Sequence, residues 1–161
     1  MAYGKTEISR LRISGKKHGG NAPMILCDTN VIIEALKNNP VVIQTIEKIG
    51  LERIAVSVVT VMELYYGALH KAELKKIKRH LSSIRVFQID EAISVAASEL
   101  IERYAKSNGL QIPDALIAAT SINRDLQLYT GNTKDFIYIE NISLWSINRA
   151  SSSSGPNHRK I

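Results

Sequence analysis

The chain has 161 residues, 45% of them hydrophobic, which suits a single domain with a buried core. No apolar stretch reaches the length that crosses a bilayer, and the N-terminus lacks the apolar segment of a secretory signal, so we expect no membrane association. A single cysteine excludes an internal disulfide, and a reducing cytoplasm is the expected location.

The formal charge of +6 is concentrated at the two ends of the chain. Residues 1–23 carry five Lys or Arg and one acid, and residues 148–161 carry three Lys or Arg and no acid. We expect a flexible basic N-terminal arm over 1–23, a folded domain over 24–147 and a disordered basic tail over 148–161. Because residues 24–147 hold 13 bases and 14 acids, the high pI alone does not indicate a nucleic-acid-binding core.

Between the tails, short apolar runs alternate with helical patterns. We expect Pro40 to begin a helix and Gly67 to kink or end the helical region that follows the second strand. Asp90 is expected to cap a long helix that ends at Gly109. Strands separated by helices require crossover connections, so the predicted class is α/β, with a mostly parallel central sheet of about five strands flanked by helices. The predicted strands are 24–27, 53–59, 85–89, 126–130 and 142–145.

One segment inside the folded part concentrates positive charge, at residues 70–80. The pattern is typical of a solvated helix face. It also suits a phosphate-tracking patch that guides a polyanion, and the sequence leaves both interpretations open.

Four carboxylates lie just past apolar runs, at or near predicted helix starts. In a parallel sheet such positions gather on one edge, which is where open α/β sheets bind ligands. Partly buried acids need partners, yet the bases of the folded part are concentrated at 71–79. A hard divalent cation, which prefers oxygen ligands, would supply the missing positive charge. The four are Asp28, Glu63, Asp114 and Asp135.

Each of these acids also has a structural explanation. Asp28 could cap a helix, and Thr60 with Glu63 matches a capping box. Asp114 could complement a helix dipole, and Asp135 could be a first-turn acid. Cys27, in an apolar strand, is interpreted as a buried inert thiol.

Four motifs, taken together, resemble those of a PIN domain, and most closely those of the VapC-type ribonuclease toxins of toxin–antitoxin pairs. The resemblance covers about residues 24–146, and the order, spacing and context of all four motifs agree. The motifs are Asp28-Thr29-Asn30, Glu63-Leu64-Tyr65-Tyr66-Gly67, Pro113-Asp114-Ala115-Leu116-Ile117-Ala118-Ala119-Thr120 and Thr130-Gly131-Asn132-Thr133-Lys134-Asp135-Phe136.

The resemblance implies a PIN-like three-layer α/β/α fold and a metal-dependent endoribonuclease that uses Mg²⁺ or Mn²⁺. It also implies a VapB-like antitoxin that inhibits a toxin, and a homodimer. Asp28 and Asp114 would be direct metal ligands, Asp135 would ligate directly or through water, and Glu63 would ligate a second ion or accept a proton. The matching polar supporting positions are Asn30, Thr130 and Asn132. Gly131 departs from the family pattern, because a basic residue is common there.

Several alternatives stay open at this point. One is a PIN-fold nuclease acting on DNA. Another is a catalytically silent nucleic-acid-binding module, although loss of acids would be its sign in the sequence and all four acids are present. A haloacid-dehalogenase-like phosphatase needs a second aspartate where Asn30 stands. A metal-independent ribonuclease would need histidines, but His18 and His158 lie in the tails, and His70 and His80 lie in the basic segment.

An antitoxin could dock by inserting a helix or a basic side chain at the acidic edge. Four apolar residues could contribute to such a docking surface, although core packing is their simpler interpretation. They are Ile43, Ile46, Leu64 and Leu69.

Overall fold

The computed structural model describes residues 22–147, so the predicted basic tail and nearly all of the predicted arm lie outside the described residues. The described part contains one parallel sheet with the strand order β3-β2-β1-β4. Chain order and spatial order therefore differ, because β4 returns to the free side of β1. The strands are β1 (Ile25–Cys27), β2 (Ile54–Ser57), β3 (Arg85–Phe87) and β4 (Gln127–Tyr129).

Six α-helices connect and cover the strands within residues 22–147. Asn39 caps the second helix through a bond from the Val41 N–H, and Pro40 occupies its first position. Gly109 ends the fifth helix in the left-handed conformation. The helices are α1 (Thr29–Leu36), α2 (Pro40–Ile49), α3 (Val58–Gly67), α4 (Lys71–Leu81), α5 (Glu91–Asn108) and α6 (Ile112–Asn123). None of these helices is long and apolar enough to span a membrane.

Side chains from the two faces of the sheet form two separate cores. Successive residues of a strand point to opposite faces, and β1 shows this directly. Ile25 and Cys27 pack with residues of α1, α2 and α4, whereas Leu26 packs with residues of α5 and α6. The sheet is thus covered by helices on both faces, which confirms the predicted three-layer α/β/α class.

The predicted fifth strand at 142–145 is wrong, because the sheet in the described residues has four strands. Only an isolated bridge between Leu128 and Leu144 joins this segment to β4. Two hydrogen bonds make the bridge, from the Leu128 N–H to the Ser143 carbonyl and from the Trp145 N–H to the Leu128 carbonyl, each 2.8 Å long. Asn141, at φ 64°, lies three residues before the bridge.

The apolar residues considered for partner docking are mostly core. Ile43, Ile46 and Leu64 are buried in the core that contains α1 and α2, which confirms the simpler interpretation for these three. For Leu69 that interpretation is wrong, because 68% of its surface is exposed in the link between α3 and α4.

The position of β4 determines where a ligand would bind. The chain moves from β1 to β2 and β3 on one side, and then returns to place β4 on the other side of β1. This reversal makes a topological switch point between β1 and β4. In open α/β sheets, ligands bind beyond the carboxyl ends of the strands at such a point.

Candidate functional site

Asp28 lies directly beyond β1, at the switch point. Cys27 and Tyr129 are paired at the ends of β1 and β4, and the Asp28 N–H donates to the Tyr129 carbonyl over 2.9 Å. The Asp28 carboxylate accepts bonds from the Thr29 N–H at 2.7 Å and from the Thr130 hydroxyl at 2.8 Å. It therefore caps α1, as one structural interpretation predicted, and is also tied to the end of β4.

The loop after β4 is held against Asp28 by polar side chains. The Gly131 N–H donates to Asn30 Oδ1 over 3.1 Å, and the Asn132 N–H donates to Thr130 Oγ1 over 3.0 Å. The side-chain amide of Asn132 donates to the Asp135 carboxylate. Asn30, Thr130 and Asn132 thus connect the loop, Asp28 and Asp135 into one hydrogen-bond network.

Glu63 lies in the second turn of α3. This helix begins at Val58 with Ser57 as its cap, so the proposed capping box around Glu63 is wrong. The Thr29 hydroxyl instead donates its proton to the Glu63 carboxylate. Since a hydroxyl has one proton, Thr60 Oγ1 must be the donor in its 3.0 Å bond to Thr29 Oγ1. The two threonines fix Glu63 from the start of α1 and the interior of α3.

Asp114 lies in the first turn of α6, behind Pro113. A short turn connects the C-terminus of α6 to the start of β4, and α6 packs against β4. The N-terminus of α6 therefore lies near the carboxyl ends of the strands. The pKa of the Asp114 carboxyl is raised to about 6, mainly by burial and then by the charges of Asp28, Asp135 and Glu63, in that order of size. Asp114 is therefore within electrostatic reach of the other three acids.

The same mutual repulsion acts on Asp28. Burial is the main cause that raises its pKa, and the charges of Glu63 and Asp135 add to it. The hydrogen bonds from Thr130 and Thr29 act in the opposite direction. Among residues 22–147, no cationic side chain lowers the pKa of either Asp28 or Asp114. The structure thus brings four carboxylates together, and no base within residues 22–147 offsets the repulsion on Asp28 or Asp114.

The fit to a metal ion depends on ligand chemistry. In the described part of the chain, no three His, Cys, Asp or Glu side chains are arranged to hold one ion together. Mg²⁺ does not need such a cage, because it keeps several waters and usually takes one or two carboxylates together with substrate phosphates. Two carboxylates with raised pKa values and no nearby base suit that mode of binding. The donor set therefore fits a hard divalent cation.

Three further polar residues belong to this region, and the sequence did not predict their roles there. Thr29 orients Glu63, and Thr60 contacts Thr29. Burial raises the pKa of the Tyr138 hydroxyl, with further contributions from Asp135 and Asp114. Thr29 lies inside the Asp28-Thr29-Asn30 motif and could have been found there, whereas Tyr138 has no local sequence signal.

Neither Cys27 nor His70 is available for catalysis at this edge. The Cys27 thiol is fully buried, and burial and then the Asp28 charge raise its pKa, so it is a poor nucleophile. His70 is the cap of α4, where its Nδ1 accepts a bond from the Glu73 N–H.

An apolar groove adjoins Glu63. It lies between α3 and α6, with a volume of about 410 Å³. Three of the side chains that line it are largely exposed, with exposures of 55% for Met62, 94% for Tyr66 and 67% for Ile112. The groove therefore combines uncovered apolar surface with a carboxylate of the acidic edge.

Comparison with known proteins gives consistent similarities. The PIN domain family profile matches residues 25–141. The chain is 36% identical over 124 residues to Ribonuclease VapC10 of Mycobacterium tuberculosis, which covers 74% of this chain and 90% of that protein. It is 35% identical over 127 residues to Toxin FitB of Neisseria gonorrhoeae, which covers 70% of this chain and 91% of that protein.

Solved structures show the same similarity. The crystal structure of FitAcB from Neisseria gonorrhoeae matches with a TM-score of 0.63 and 29% identity, covering 76% of this chain and 97% of that chain. A toxin–antitoxin complex from Klebsiella pneumoniae matches with a TM-score of 0.63 and 30% identity, covering 73% of this chain and 94% of that chain.

Proposed function

The chain belongs to the PIN-domain family, and from this premise we propose that it is a metal-dependent endoribonuclease and the toxin of a type II toxin–antitoxin pair. The observation that carries the proposal is the gathering of Asp28, Glu63, Asp114 and Asp135 at the switch point, where burial and then mutual repulsion raise the pKa of Asp28 and Asp114. Relatives that are named ribonucleases support RNA as the substrate.

Asp28 and Asp114 are the residues that would hold Mg²⁺ or Mn²⁺. Both have pKa values raised by burial and by neighbouring carboxylates, so a cation would relieve an existing repulsion. When bound, the cation supplies a Lewis acid that withdraws charge from the scissile phosphate.

The remaining residues orient groups and move a proton. The bonds from Thr130 and the Thr29 N–H hold Asp28 in one orientation and favour its ionised form. Glu63, positioned by the Thr29 hydroxyl, accepts a proton from the attacking water at its carboxylate. Asn132 holds Asp135 at the edge of the site, where its charge adds to that of Asp28 and Asp114.

The antitoxin partner would occupy the groove between α3 and α6. Exposed Met62, Tyr66 and Ile112 suit the apolar face of a partner helix, and Glu63 at the groove suits a basic side chain from the same partner. Such a partner would cover the site and neutralise part of its charge. Structures described as toxin–antitoxin complexes support a partner of this kind. A homodimer is part of the same proposal, and sedimentation of the purified chain tests it.

Cleavage of labelled RNA by the purified full chain tests the proposed function. We expect cleavage with Mg²⁺, none with EDTA, and loss of about 100-fold or more in Asp28→Asn and Asp114→Asn, because each removes a charged ligand. Asp125→Asn is the matched control, since Asp125 is exposed at φ 52°, a conformation that asparagine also tolerates.

Full activity in either site variant, or undiminished cleavage in EDTA, would reject the proposal. A parallel digest of DNA with the same sequence separates a ribonuclease from a DNA nuclease. We expect intact DNA under conditions that cleave the RNA.

A further inference from the structure

Helix α4 carries a concentration of positive charge that the candidate active site does not explain. It contains five of the 13 Lys and Arg residues found between 24 and 147, and all five are exposed. Outside α4, the same part of the chain has eight bases and 13 acids, so the rest of the folded part is net acidic. The five basic residues are Lys71, Lys75, Lys76, Lys78 and Arg79.

The one acid of α4 does not reach the outer face. Glu73 is only 2% exposed, and its carboxylate accepts a 2.6 Å bond from the Leu69 N–H. Ile77 and Leu81 are buried on the same side of the helix. The inner face of α4 thus combines two apolar side chains with the buried Glu73 carboxylate, and the charged side chains of its outer face are all basic.

This arrangement opposes the stability of the helix. Lys71, Lys75 and Arg79 follow each other at four-residue spacing, and like charges at that spacing are destabilising. Burial lowers the pKa of His80, and the charges of Arg79 and Lys76 lower it further. Solvated helix faces usually mix charges of both signs, so a face with a single sign indicates an anionic partner.

The basic face also lies next to the helix that carries Glu63. Three residues separate α3 from α4, and the two helices pack against each other. The Lys78 ammonium lies 5.5 Å from the centroid of the Tyr65 ring on α3, two positions from Glu63. A polyanion on α4 would therefore lie beside α3, the helix that carries Glu63, although Tyr65 and Glu63 point to different faces of that helix.

We propose that the outer face of α4 binds the phosphate backbone of the RNA and holds the strand near the carboxylates of the candidate active site. This inference rests on the proposed function, because it adds a binding surface to the same site. A net-acidic domain would otherwise repel RNA, and the basic face offsets that repulsion locally. A protein interface is disfavoured, because interface cores are depleted of lysine and the outer face of α4 presents no large apolar side chain.

RNA binding by two charge-matched double variants tests the proposal. Lys75→Gln/Arg79→Gln neutralises the face, and Lys48→Gln/Lys106→Gln removes the same charge from exposed positions on α2 and α5. Both are made in the full chain with Asp28→Asn and Asp114→Asn. Fluorescence anisotropy then measures the Kd for a labelled single-stranded RNA in EDTA over a series of KCl concentrations.

We expect the α4 variant to bind about tenfold more weakly than the control, whatever the RNA sequence. The slope of log Kd against log KCl concentration should fall by about 1.4, since two contacts to a single strand are lost. Circular dichroism should show an unchanged or higher Tm, because two repelling charges are gone. Lys75→Arg/Arg79→Lys should bind like the parent.

Equal binding by the two double variants would overturn the proposal. Loss of affinity for a protein partner without loss of affinity for RNA would also overturn it. The cleavage assay stays separate: if binding depends on α4 but the wild-type chain cuts no RNA, the proposed activity fails and the RNA-binding face stands. If RNA is cleaved but the Kd for RNA does not change in the α4 variant, only this inference fails.

Discussion

Asp28 is positioned by groups from two distant parts of the chain. The Thr29 N–H comes from the next residue, and the Thr130 hydroxyl comes from a residue 102 positions away. Thr130 is only 7% exposed, and its oxygen also accepts a bond from the Asn132 N–H. One buried hydroxyl therefore orients an acid of the site and the loop beside it.

Thr130→Val tests this role, because it keeps the shape of the side chain and removes both hydrogen bonds. We expect activity to fall about 10–100-fold, as for groups that orient metal ligands, and stability to fall by about 1–3 kcal/mol. Ser121→Ala is the control, since the buried Ser121 hydroxyl donates to the Leu126 carbonyl just before β4, at the opposite end of that strand from Thr130. Equal loss of activity in both variants would contradict a positioning role.

Asp114 should make the metal-free protein less stable above pH 6. Its pKa is raised to about 6, so between about pH 4 and 6 the folded chain holds a proton that the unfolded chain has released. Stability therefore falls as pH rises through this window. We expect Asp114→Asn to raise the free energy of unfolding by about 1–2 kcal/mol at pH 7, and by almost nothing at pH 3.5. Urea denaturation in EDTA measures the difference.

Asp90→Asn should show the opposite pH dependence. The Ile93 N–H and then Arg124 lower the pKa of this exposed carboxyl, so its contribution to stability is present at neutral pH and is lost as pH falls below its ordinary value. For Asp114→Asn, an increase in the free energy of unfolding that was the same at pH 3.5 and pH 7 would exclude the electrostatic explanation of its effect.

At the scale of elements, the ends of helices α1 and α6 bring side chains to the carboxyl edge of the sheet. Asp28 caps α1 at the end of β1, and Asp114 lies in the first turn of α6. Helix ends are specified by short-range chemistry, which is why several were predictable: Pro40, Asp90 and Gly109 lie at the expected boundaries. The length of α5, for example, is set by a cap at Asp90 and by Gly109.

Gly109→Ala and Gly67→Ala should have opposite effects on stability. Gly109 has φ 74° with open space around it, so an added Cβ would be strained only by the backbone, at about 1–2 kcal/mol. Gly67, the last residue of α3, also has open space but no positive φ. Alanine there should be neutral, or stabilising by up to about 1 kcal/mol. Thermal unfolding measures both, and equal destabilisation would contradict this account.

At the scale of the whole molecule, the fold holds like charges together at the switch point. Two packed cores hold the sheet between them, and neither the strand ends nor the first turn of α6 can move apart without disturbing those cores. The repulsion among the acids is therefore maintained until a cation or a basic partner arrives. This is the physical reason to expect the protein to be more stable with metal bound.

Adding Mg²⁺ should raise the Tm of the wild-type chain. At a concentration one hundred times the Kd, we expect about 2.7 kcal/mol of stabilisation, which corresponds to a shift of about 10 °C. Asp28→Asn/Asp114→Asn should show no shift beyond that given by NaCl of matched ionic strength. If this variant shifts as much as the wild type, the metal binds elsewhere.

Several features of the site could not be read from the sequence. The strand order that places β4 beside β1 depends on packing across the whole sheet, so the bond between Thr130 and Asp28 had no local sign. The segment 142–145 was predicted as a strand from its apolar composition, but composition does not show how many residues pair, and only Leu144 does. The hydrogen bond from Thr29 to Glu63 joins α1 to α3, and the sequence of either segment alone gives no sign of it.

By itself, the sequence determined the alternation of strands and helices, several helix ends and the four acids, because these follow from hydrophobic periodicity and from chemistry within a few residues. Only the tertiary structure decided that the acids share one place, which hydroxyls hold them, and that Tyr66 and the basic side of α4 stay exposed. Those features depend on contacts between residues far apart in the chain, and such contacts form only when all the elements pack together.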